Sequence, residues 1–295
     1  LIFMSIFDAP FDGLQYKAGP HCVLMLHGLG ANSTELVRLA KDLHGQGFTV
    51  VAPNIEGYCY GSPIAGWGDW IAAVQAHYWV LKNTHDSVSV VGLSMGATLA
   101  LALAQREELT SAVFLSAALA YDGWAMPWYQ FLSKFAAWIP FAGLYKFHES
   151  EPYGVKNTEM RAMIKRAMQK DHMSESGVDV LSVKYLLEGQ RLIRDVRDNI
   201  DEVTCPSLLI HAVDDETVHI RNAQWLYKHI ASPEKDMLYL GDSYHMITVD
   251  NERETVSQET ARFLKRSVNQ AVGRDVFDLP PVQSAELRRY LRKTA

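Results

Sequence analysis

The chain has 295 residues, 48 % of them apolar and 21 % charged, with a net charge of −6 at pH 7. That balance supplies enough apolar surface for a large core, and the absence of a long basic run argues against nucleic acid as a partner. Three scattered cysteines (Cys22, Cys59 and Cys205) form no C-x-x-C, which argues against a disulfide framework or a thiolate metal site and suits a reducing, cytoplasmic setting.

The opening L-I-F-M-S-I-F-D has no basic flank and meets Asp8 early, so it is too short for a signal peptide or a membrane span, and no stable membrane association is expected. Short apolar runs then alternate with longer amphipathic ones, the pattern of an α/β chain. Strands are predicted at Cys22–Leu26, Thr49–Ala52, Val88–Val91 and Ala112–Leu115. Between them, helices are predicted at Glu35–Gln46, Trp70–Leu81 and Ala97–Gln105. From 121 to 200 no clear strand is legible, and the pattern is helical, punctuated by Pro127, Pro140 and Pro152. The alternation resumes with a strand at Ser207–His211, a helix at Arg221–Ile230, a strand at Asp236–Leu240 and a helix at Glu254–Asn269. The economical division is a core of 1–120 and 201–272, a helical cap of 121–200, and a tail of 273–295. In that tail Ser284 would cap a short basic helix, first a solvated terminal helix and second a homodimer contact.

The sharpest motif is Gly92-Leu93-Ser94-Met95-Gly96, set between an apolar strand pattern and an Ala-rich helix. A serine at such a turn takes strained backbone angles that only small neighbours permit, and its hydroxyl is presented above the sheet as a nucleophile. The Met95 amide would then face a developing oxyanion. His27-Gly28-Leu29-Gly30 follows the first long strand, and the Leu29 amide would be the second oxyanion donor. His27 is expected to brace that loop.

A serine hydroxyl needs a base within hydrogen-bond reach. His245, after a predicted strand and before the last core helix, is the candidate; His219 is its rival, and His211 is expected to pack within a strand. The base needs an acid on its other ring nitrogen. Asp214, Asp215 and Glu216 follow a strand in succession, and Asp122 is a further candidate.

At these residues the chain resembles the α/β-hydrolase superfamily, and within it the bacterial carboxylesterases and monoacylglycerol lipases. The resemblance is carried by H-G-L-G at 27–30, W-G-D-W at 67–70, G-L-S-M-G at 92–96, A-V-D-D-E-T-V at 212–218 and S-Y-H-M-I-T-V-D at 243–250. The chain order Ser, Asp, His is the one that fold uses. In the family the acid stands three residues after a small residue and three before a valine, so Ala212 and Val218 single out Asp215. The resemblance implies a mostly parallel sheet flanked by helices, with a helical cap insertion. It also implies a catalytic triad of Ser94, Asp215 and His245. Two departures stand out: Gly57-Tyr58-Cys59-Tyr60-Gly61 replaces the family's Gly-His-Gly, and the tail beyond Gly273 has no counterpart.

The expected activity is hydrolysis of a carboxylic ester through an acyl-enzyme, on short- to medium-chain acyl esters or monoacylglycerols. Aromatic residues from Trp124 to Phe141 would supply an apolar wall if that segment covers Ser94. The alternatives keep the triad and change the bond: a C–C hydrolase, a thioesterase or a peptidase. Dehalogenase and epoxide hydrolase chemistry would need an aspartate in place of Ser94. No cofactor or metal is expected, since neither H-E-x-x-H nor a P-loop lysine occurs.

Overall fold

The computed structural model describes residues 11–59, 61–125, 146–148, 151–171, 173–174, 177–178 and 180–279. A seven-stranded sheet forms the centre. Its strands are β1 (Gly13–Tyr16), β2 (His21–Leu26), β3 (Thr49–Pro53), β4 (Ser87–Leu93), β5 (Ala112–Leu115), β10 (Ser207–Ala212) and β11 (Lys235–Leu240). They lie in the order β1-β3-β2-β4-β5-β10-β11, with β1 antiparallel to β3 and the other pairs parallel. This is the α/β-hydrolase fold.

The alternation of side chains along each strand divides the core in two. From β2, Cys22, Leu24 and Leu26 enter one layer, while Val23 and Met25 enter the other. The first layer takes helices α2 (Trp67–Lys82) and α3 (Met95–Ala104), and the second takes α1 (Val37–Gly45) and α7 (Arg253–Val272). Every residue of α3 is buried, which explains its apolar sequence M-G-A-T-L-A-L-A-L-A. A further helix, α6 (Arg221–His229), connects β10 to β11 and buries Leu226. Gly273, at φ 71, ends α7 in the left-handed conformation that glycine adopts without steric penalty.

Three details depart from the sequence expectation. The predicted helix at Glu35–Gln46 begins as a 3-10 turn, Ser33–Leu36, which Asn32 caps by accepting the Thr34 amide at 3.0 Å. The edge strand β1 was not legible, because G-L-Q-Y is half-buried throughout and shows no alternation. Between β5 and β10 the structure contains short strands as well as the expected helices. There β6 (Lys146–His148) pairs with β9 (Val180–Ser182), and β7 (Met173–Ser174) with β8 (Gly177–Val178). Strands of two or three residues carry no local periodicity, and β6 meets its partner β9 only well beyond it in the chain. The helices there are α4 (Thr158–Asp171) and α5 (Val183–Asp198). The aromatic run from Trp128 to Phe141 and the basic helix after Ser284 lie outside the described residues.

Candidate active site

Ser94 stands between the end of β4 and the start of α3 with φ 57 and ψ −119, and its amide donates to the Leu115 carbonyl at 2.9 Å. The flanking glycines are sterically required. A Cβ on Gly92 would sit 2.2 Å from the Gly96 carbonyl oxygen, and one on Gly96 would sit 2.1 Å from that of Leu26. Glycine therefore lets α3 rise directly against β2 and β4.

The Ser94 Oγ lies 2.8 Å from Nε2 of His245. On the far side of the ring, Nδ1 lies 2.8 Å from Oδ2 of Asp215. Asp215 is itself held, its Oδ1 accepting the Thr217 and Val218 amides at 2.9 and 2.7 Å. Asp214 is exposed and pairs with Lys156 instead. Asp122 accepts from the His219 amide and from the Arg221 and Asn222 side chains, so neither Asp122 nor His219 joins the serine.

Burial opposes a charge on His245, but the Asp215 carboxylate outweighs it, with Glu216 and Glu35 adding to the effect, and the imidazole pKa is raised. Burial pushes Asp215 up, yet the His245 and His211 imidazoles and the Val218 amide hold it below the usual carboxylate range. The acid thus stays ionised where the imidazole needs it.

The His27-Gly30 loop begins against the first turn of α3, where a Cβ on Gly96 would lie 2.4 Å from the His27 carbonyl oxygen. Among the described residues, neither the Leu29 nor the Met95 amide has a hydrogen-bond acceptor. His27 bonds the Gly28 carbonyl through Nδ1 at 2.9 Å, and burial lowers its pKa to about 4, so it braces the loop as a neutral ring. Tyr58, from the segment that departs from the family pattern, donates through its hydroxyl to the His27 carbonyl, and its own carbonyl accepts the Gly30 amide. Trp70 of the W-G-D-W stretch donates its indole N–H to Gly57 at 2.8 Å.

Sequence reasoning missed several supporting groups. Glu35 is buried and accepts the Gly28 amide at 2.5 Å. His211 bonds the Val218 carbonyl at 2.8 Å and lies 3.4 Å from the Asp215 carboxylate, a second imidazole on the same acid. Asp250 is fully buried and accepts four main-chain amides, from Lys156, Asn157, Tyr244 and Asn251, at 2.7 to 2.9 Å. It thereby joins the histidine loop to the entry of α4. Sequence spacing shows none of this: which amide or imidazole a side chain meets is set by the turn of the folded loop and, for Lys156 and Asn157 at Asp250, by chain far away.

Comparison with known proteins then places the chain. The profile of the family described as "Serine aminopeptidase, S33" matches residues 20–253. The chain belongs to this family. It is 28 % identical over 257 residues to a carboxylesterase of Bacillus subtilis (strain 168), covering 85 % of this chain and 95 % of the relative. It is 26 % identical over 253 residues to a thermostable monoacylglycerol lipase of Bacillus sp. (strain H-257), covering 84 % and 92 %. Among solved structures, the monoacylglycerol lipase of Paleococcus ferrophilus superposes with a TM-score of 0.72 at 17 % identity, covering 86 % of this chain and 98 % of that one. This member of the family is a hydrolase of the carboxylesterase and lipase type. Among the described residues no helix is long and apolar enough to cross a membrane, and no cluster of His, Cys, Asp or Glu could hold a metal ion.

Proposed function

We propose that this hydrolase cleaves short- to medium-chain carboxylic esters, monoacylglycerols among them, through an acyl-enzyme on Ser94. The single observation that carries this reading is the unbroken line of hydrogen bonds from Ser94 through His245 to Asp215, 2.8 Å at each step. With Asp215 bonded at Nδ1, the neutral imidazole carries its proton there and leaves Nε2 free to accept the serine proton. The Ser94 oxygen forms a bond to the ester carbonyl carbon as the π electrons move onto the carbonyl oxygen. The amides of Leu29 and Met95 receive that charge. Collapse of the intermediate breaks the bond to the alcohol oxygen, which leaves with the proton held on His245. Water then repeats the sequence on the acyl-enzyme and frees the acid. A small-molecule ester is the only partner this chemistry needs, and the unpaired, buried Cys22 and Cys59 fit a cytoplasmic setting.

The family's own description keeps a second reading in play, in which the same residues cut a peptide bond. The deciding experiment is a rate series on p-nitrophenyl esters from acetate to palmitate, beside an amino-acid p-nitroanilide and a thioester. Ester turnover is expected to peak at short to medium acyl length and to exceed the other two. Ser94→Ala should lower it by about 10⁴-fold or more with the fold retained by circular dichroism. Faster cleavage of the anilide would assign a peptidase, and near-normal turnover by Ser94→Ala would remove the serine mechanism.

A further inference from the structure

Glu216 follows Asp215 and is equally buried, each being 2 % exposed. While Asp215 takes the ring of His245, Glu216 takes its main chain: Oε2 accepts the His245 amide at 3.1 Å. Its other oxygen accepts the Thr217 hydroxyl at 2.9 Å. The His245 carbonyl is held from the other side by the Ser116 hydroxyl at 2.8 Å, and Ser116 itself sits at a positive φ of 46. The histidine is therefore gripped at both ends of its backbone as well as at both ring nitrogens. Glu216 is also tied to the chain leaving β5, since its carbonyl accepts the Ala125 amide at 2.9 Å.

Neither hydrogen bond requires a charge. A glutamine oxygen would accept the same amide, and burying a carboxylate is unfavourable unless its charge is used. The cationic form of His245 is the state that gains from it. Among the described residues, four titratable groups face this imidazole: Asp215 and Glu216 from the turn after β10, His211 from β10 itself, and Glu35 from the turn after β2. Burial and then Asp215 push the Glu216 pKa up, with His245 pulling it down.

We infer that Glu216 is a positioning residue for His245, its carboxylate seating the main chain of the histidine and setting a buried acidic group beside the imidazole. This rests on His245 serving as the general base toward Ser94. Activity requires neutral His245, so removing a neighbouring negative charge moves the acid limb of the pH profile to lower pH.

The test compares wild type, Glu216→Gln, Glu216→Ala and Ser94→Ala on p-nitrophenyl butyrate across the acid limb. Active sites are counted by titration with a phosphonate, and melting temperatures are recorded in parallel. Glu216→Gln, which keeps the shape and the acceptor, should move the acid limb of kcat/KM down by about one unit. Glu216→Ala should in addition lower kcat per titrated site by about tenfold with KM little changed. An unmoved acid limb in Glu216→Gln overturns the inference. So does a loss in Glu216→Ala explained wholly by fewer titratable sites or a lower melting temperature. If Ser94→Ala stays active, the serine mechanism itself has failed, a result separable from an unmoved limb in Glu216→Gln when Ser94→Ala is inactive.

Discussion

The three successive acidic residues 214–216 illustrate how much one position along a loop decides. Asp214 points to solvent and pairs with Lys156, with the two side chains 55 % and 29 % exposed, so its contribution is screened. Asp215 is buried, bonded to two amides and aimed at His245, and its loss would leave an imidazole in the wrong tautomer. Asp215→Asn is expected to lower kcat by about 10⁴-fold, and Asp214→Asn by less than about threefold. Steady-state rates on a soluble ester measure both, and the reverse ranking would assign the acid to Asp214. The same residue-scale logic explains why the serine is flanked by glycines: a methyl group on Gly92 would enter the backbone of α3, and one on Gly96 the backbone at the end of β2.

At the scale of elements, α5 matters more than its place in the sequence suggests. Although it belongs to the segment between β5 and β10, it packs on α3 and α2 and buries Leu192, Ile193 and Val196 in the layer that holds Leu29 and Met95. Its Tyr185 hydroxyl donates to the Cys59 carbonyl at 3.0 Å. Gly189 in its middle faces the two residues whose amides we assign to the oxyanion. A Cβ there would lie 3.3 Å from the Leu29 side chain and 3.4 Å from that of Met95. Alanine favours a helix interior over glycine by about 1 kcal/mol, while the added methyl would press on the oxyanion loop. Gly189→Ala is therefore expected to leave the melting temperature within a few degrees of wild type and to lower kcat/KM by about two- to tenfold. A variant with full activity would show that the loop absorbs the methyl.

For the whole molecule, buried imidazoles and carboxyls together set how stability depends on pH, and two of the carboxyls act in opposite directions. Burial raises Glu35 from 4.5 to about 7, against the pull of the Gly28 amide and His245. A carboxyl raised on folding binds its proton more tightly in the folded state. Its contribution is complete below 4.5 and is lost as pH rises through about 7. Asp215 is shifted the other way, so its contribution is present above its unfolded value and is lost only as pH falls through its lowered folded one. Glu35→Gln, which cannot titrate, should remove the Glu35 share of the pH dependence, so that between about pH 4.5 and 7 its melting temperature rises more, or falls less, with pH than that of wild type, while the acid side is unchanged. Calorimetric melts across that range test it, and a slope equal to wild type would show that Glu35 does not titrate on folding as assigned.

Much of the architecture was legible because it is written locally. Apolar runs such as H-C-V-L-M-L are buried on both faces whatever follows them, and G-L-S-M-G sits at its own strand–helix junction. The amphipathic spacing of α1 and α7 needs no distant partner to be read. What only the tertiary structure decided is which groups meet. Ser94 and His245 are 151 residues apart, and Asp215 and His245 are 30 apart. The roles of Tyr58, Glu216 and Asp250, and the pairing of β6 with β9, likewise depend on partners brought in from elsewhere in the chain. The physical reason is range: periodicity and backbone sterics act within a few residues, whereas a buried carboxyl acquires its function from whichever amide or imidazole the folded chain sets against it.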